Sequence, residues 1–66
     1  METKEILKKE KEQRLLGLKI MRFRLQMDMA AYKANEDEEG AEKAQKQLEQ
    51  VEKSYAAIEV MPIEET

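Results

Sequence analysis

At 66 residues, with a formal charge of -3 and neither cysteine nor histidine, the chain is one domain at most, and no disulfide framework or structural zinc site supports so small a core. With Ser54 as the only serine and no glycine-rich phosphate loop, it lacks the groups that nucleophilic, acid–base or metal chemistry needs, so the expectation is a non-enzyme without cofactors. Apolar runs reach only three or four residues, such as Met29, Ala30, Ala31 and Tyr32, and Met1 is followed by charge; the expectation is a cytoplasmic setting without membrane association.

Residues with high helix propensity dominate from Glu2 to Glu59, and Pro62 is the only proline. The predicted class is therefore all-α. Residues 1–14 read as a charged helical arm, with Glu5–Lys9 and Glu10–Arg14 at the favourable i,i+4 spacing and only Ile6 and Leu7 able to pack. Gly17 marks a local boundary or kink where this arm meets the apolar segment.

Residues 15–59 read as a helical hairpin. Its first helix is apolar on two nearly opposite faces at 100° per residue. One stripe is Leu16, Ile20, Phe23, Met27, Ala30 and Ala34; the other is Leu15, Leu18, Leu25, Met29 and Tyr32. Lys19, Arg22, Gln26 and Lys33 lie on one flank between them, and Arg24, Asp28 and Asn35 on the other.

The turn is expected at residues 35–40, where Asn35 suits the left-handed conformation that ends helices and also makes a capping box with Glu38. Asn35, Asp37, Glu39 and Gly40 coincide with four places of a calcium-binding loop, but Lys46 stands where that loop needs a bidentate Glu. No metal is expected there. Ala41, Ala44, Leu48, Val51, Tyr55 and Ile58 then form one narrow seam on the second helix. Beyond it, residues 60–66 read as an extended acidic tail, because Pro62 cannot continue the helix.

The three-four spacing of the first stripe runs on through Asp37 into the second seam, so the alternative architecture is a single long helix in a coiled coil. The hairpin is preferred because that coil would place Ala30, Ala34, Asp37, Ala41 and Ala44 in succession at its centre. The alternating segment 22–29 also admits a strand, but its Leu, Met, Gln and Arg favour helix.

In the preferred hairpin the stripe beginning at Leu16 meets the second helix and the other is left uncovered. The expected protein interface is accordingly Leu15, Leu18, Met21, Leu25, Met29 and Tyr32, through which the hairpin self-associates into a helical bundle or binds a larger protein. The functional expectation is a small interaction protein acting as an adaptor, inhibitor or assembly subunit.

The charge distribution supplies an alternative. Residues 1–34 carry nine Lys or Arg against five acids, and residues 35–66 carry three against ten. Lys19, Arg22, Arg24 and Lys33 could contact phosphates as a basic row, the mark of a small dimeric nucleic-acid-binding regulator. The acidic pI near 5.0 and the lack of interleaved aromatic residues weigh against it.

Overall fold

The structure is a computed structural model and describes residues 2–64. Two helices, α1 (Thr3–Ala34) and α2 (Glu38–Glu59), pack against each other as an antiparallel hairpin, with no strand among the described residues. The longest dimension is 51 Å, close to the roughly 48 Å of a 32-residue helix rising 1.5 Å per residue. A single helix through both segments would be far longer, so the continuous-coil alternative does not describe this chain. Gly17 lies within α1, which runs through it without a boundary. The arm therefore belongs to the same helix, although Met1 at its start, like Glu65 and Thr66 of the tail, is outside the described residues.

The reversal takes three residues. Asn35 caps α1, its side-chain Nδ2 donating to the Ala31 carbonyl at 2.8 Å. Glu36 follows in the left-handed region at φ 56°. Its amide donates to the Lys33 carbonyl at 3.1 Å, and the Asp37 amide donates to the Tyr32 carbonyl at 2.8 Å. These are the paired hydrogen bonds of a Schellman motif, which satisfy carbonyls left over at the end of a helix. Asp37 then caps α2, its carboxylate accepting from the Gly40 amide at 2.9 Å. Glu38 and Glu39 complement the positive end of the helix dipole. The expected capping roles of Asn35 and Glu38 are thus corrected: Asn35 ends the first helix, Glu36 takes the left-handed position, and Asp37 opens the second.

Gly40 is required by close approach. It has no positive φ, but a methyl added to it would lie 2.5 Å from Cδ1 of Tyr32. The Tyr32 ring therefore packs over the first turn of α2.

The α2 seam is buried as its spacing predicts. Ala44, Leu48 and Val51 are buried, while Ala41, Tyr55 and Ile58 are half-buried. On α1 the expectation is reversed. Leu25, 8% exposed, packs with Leu48 and Val51, and Leu18 and Met29 complete the cluster. The face turned to α2 is Lys11, Leu15, Leu18, Arg22, Leu25, Met29 and Tyr32, an unbroken alternation of four and three residues in which two long basic side chains occupy seam positions. A basic side chain can do this because its methylene stem packs while its charged end reaches water.

Two substitutions probe the turn. Glu36→Gly removes the left-handed penalty, offset in part by the extra freedom of glycine in the unfolded chain, and is expected to stabilise the hairpin by about 0.5–1 kcal/mol in thermal unfolding. Gly40→Ala is expected to destabilise the hairpin despite alanine's better helix propensity, and to do so by less when Tyr32→Ala has removed the ring, the Asp37 carboxylate remaining 2.7 Å from the added methyl. An equal cost in both backgrounds would count against the close packing of the ring.

Candidate interaction face

With α2 seated on the Leu18–Leu25–Met29 face, the opposite side of α1 is open. Leu16 is 58% exposed and Phe23 60%, and Ile20 and Met27 beside them are likewise exposed. Ala30 and Ala34 continue this row toward the turn, both exposed. The six positions from Leu16 to Ala34 span about 27 Å along the helix. The four larger side chains leave on the order of 400 Å² uncovered, the size of the largest apolar patch on a typical monomer, which is often functional.

The side chains expected to form the interface are placed differently. Leu15, Leu18 and Met29 are half-buried and Leu25 is buried, all on the face turned to α2, while Tyr32 covers Gly40. Of that set only Met21 stands well out, 49% exposed, above shallow depressions shared with Gln13, Gly17 and Leu18 on one side and with Gln47, Gln50 and Ser54 on the other. The reason for the reversal is that Lys11 and Arg22 disguise the true seam as a broken one. The unbroken apolar row, which resembles a core stripe more closely, is the one left outside.

The basic side chains divide. Lys19 and Arg22 line one small depression with Val51, Glu52 and Tyr55, and the Lys19 ammonium stands 5.7 Å from the centre of the Tyr55 ring, within range of a cation–π attraction. Lys33 lies at the turn beside Glu36, Asp37 and Glu38. Arg24 projects from the other flank of the outer row, by its position on the helix. Acidic side chains of α2 and the turn thus stand next to three of the four. Among the described residues the side-chain ion pairs are Lys43–Glu39 at 3.6 Å and Lys46–Glu42 at 3.8 Å, both exposed and both within α2. Exposed pairs of this kind contribute a few tenths of a kcal/mol, so they do not hold the hairpin closed.

Lys11 connects the two ends of the hairpin by hydrogen bonds. The Lys11 ammonium donates to the Glu59 carbonyl at 2.9 Å and to the Met61 carbonyl at 2.7 Å. The last turn of α2 has no basic residue of its own, so α1 provides the cation that the negative end of the helix dipole favours. Pro62 and the half-buried Ile63 then fold back, lining an open cleft with Leu7, Lys11 and Ile58. Residues 61–64 accordingly lie against α1.

Among the described residues no cluster of acidic side chains is arranged to hold a metal ion, and no helix is long and apolar enough to cross a membrane. No protein-family model, curated protein or solved structure matches the chain.

Lys11→Met keeps the packed stem and removes both hydrogen bonds. It is expected to lower stability by about 1 kcal/mol, a change of several degrees in the midpoint of a domain this small. Amide hydrogen exchange should quicken most in residues 58–63. Uniform quickening along both helices would show that Lys11 does not act as a local cap.

Proposed function

We propose that the chain is a small non-catalytic interaction protein that presents the outer face of α1 to a helix of its partner, either another copy of itself or a larger protein. The observation that carries this reading is the exposed row Leu16, Ile20, Phe23 and Met27 on a helix whose other side is already occupied. A seam-spaced row of large apolar side chains left in water is unfavourable by roughly 25 cal/mol for each Å² that a partner could cover. Its three-four spacing suits a second helix lying lengthwise rather than a compact ligand.

The small core supports the same reading. Among the described residues only Leu25, Ala44, Leu48 and Val51 are buried, a modest internal cluster for two helices totalling 54 residues, 32 in α1 and 22 in α2. Chains of this size are commonly completed by oligomerisation or docking. Proteins that act as adaptors, inhibitors or assembly subunits need no more than such a face on a short rigid element.

Phe23→Glu and Leu25→Glu separate the two sides of α1. Phe23→Glu places a charge on the outer row and is expected to leave helicity intact while weakening association by at least tenfold in sedimentation, with or without a co-purifying protein. Leu25→Glu places a charge in the hairpin core, with an expected loss of several kcal/mol and of most helicity. Association unchanged by Phe23→Glu would remove the outer face from consideration.

A further inference from the structure

We infer that the occupant of the outer face is the same face of a second copy, with the two α1 helices antiparallel and Ile20 of each opposite Phe23 of the other. The inference rests on the interaction reading above and adds partner, orientation and register. The heptad spacing of the outer row extends backward from Leu16 through Gln13 and Lys9, giving a seam of about 38 Å from Lys9 to Ala34.

The flanking charges choose the orientation. On one side of this seam are Glu5, Glu12, Lys19 and Lys33, and on the other Glu10 and Arg24, so acidic flanks accompany the first half of α1 and basic flanks the second. None of these six is in an ion pair among the described residues. In a parallel pair each flank faces the opposite flank of its neighbour five residues further on, which sets Glu5 against Glu10 and Lys19 against Arg24. All four contacts in the symmetric dimer are then between like charges. In an antiparallel pair each flank faces its own counterpart running the other way. Glu12 then meets Lys33 of the second copy, twice by symmetry, while Lys19 meets Gln26.

The apolar side chains choose the register. With Ile20 opposite Phe23, Leu16 lies opposite Met27, so all four large exposed side chains enter one continuous core. Ala34 falls opposite Lys9 and Ala30 opposite Gln13, and the small side chains admit the long stems that cover them. Sliding one helix by a heptad one way sets Phe23 against Gln13 and Met27 against Lys9. Sliding it the other way leaves Leu16 and Ile20 facing only Ala34 and Ala30 and sets Lys19 against Lys33. The arrangement is isologous and closed, as a two-fold dimer requires.

The full chain lacks cysteine, so single engineered thiols report geometry without interference. Leu16→Cys and Met27→Cys chains, each checked for native helicity, are expected to form a disulfide only when mixed; a Leu16→Cys homodimer disulfide would indicate the parallel pair and overturn the inference. Glu12→Lys and Lys33→Glu are each expected to weaken the dimer roughly tenfold in equilibrium sedimentation, since two attractive contacts become repulsive. An equimolar mixture of the two variants should recover wild-type affinity. Failure of the mixture to recover would also overturn the inference. A wild type that sediments as 7.8 kDa at millimolar concentration would exclude the second copy as occupant. If Phe23→Glu still abolished binding to a co-purified protein, the interaction reading would stand with a different partner.

Discussion

The hydrogen bond from the Asp37 amide to the Tyr32 carbonyl fixes more of this molecule than any contact in its core. It closes a reversal only three residues long, and a reversal that short leaves the second helix little freedom in how it departs from the first. The chain must run back along the side of α1 that carries Tyr32. The Tyr32 ring resting on Gly40 reinforces that choice, because a side chain at residue 40 would collide with the ring. Once the departure is set, α2 meets Met29, Leu25 and Leu18 in turn, and near the open end the Lys11 ammonium reaches the carbonyls at residues 59 and 61.

A helix with two apolar faces poses a problem that hydrophobicity alone does not resolve. Between the two, the row from Leu16 to Ala34 is the more regular, and transfer free energy by itself favours its burial. Its end nearest the turn is Ala30 and Ala34, which would meet Ala41 and Ala44 with little area to bury. The other face offers Met29, which packs on the Leu25–Leu48–Val51 cluster, and Tyr32, whose ring rests on Gly40. Large against small gives better interdigitation at the narrow end of a hairpin than small against small. Local turn geometry and packing shape therefore agree, and together they outweigh the presence of Arg22 in the seam.

This explains how much of the fold can be read from the residues. Helix propensity, the absence of internal proline, and Asn35, Asp37 and Gly40 between two periodic segments suffice for an all-helical hairpin and its turn. The α2 seam is equally legible, since its apolar residues form a single row with charged side chains around it. The facing row of α1 is not, because Lys11 and Arg22 look like solvated charges until their stems are placed along a neighbouring helix. The capping roles are misread for a related reason: Asn, Glu and Asp are all plausible in a short turn, and only the backbone dihedrals assign Glu36 to the left-handed position. With the faces exchanged, the candidate interface moves from Leu18, Leu25 and Met29 to Leu16, Ile20, Phe23 and Met27.

The exchange ties association to stability. Residues in the hairpin core are fixed by contacts within one chain, so a partner on the outer face need not rearrange them. Binding there would act on the folded hairpin and raise its apparent stability by mass action, without being a precondition for the turn or the caps. The two faces also meet in the same helical backbone, from Leu15 to Ala34, and fraying of α1 loosens both at once. A partner that holds the outer row in place therefore opposes unfolding of the inner row. In a molecule whose own core is this small, that coupling would let a short chain serve both as a folded element and, on the proposed reading, as an interface.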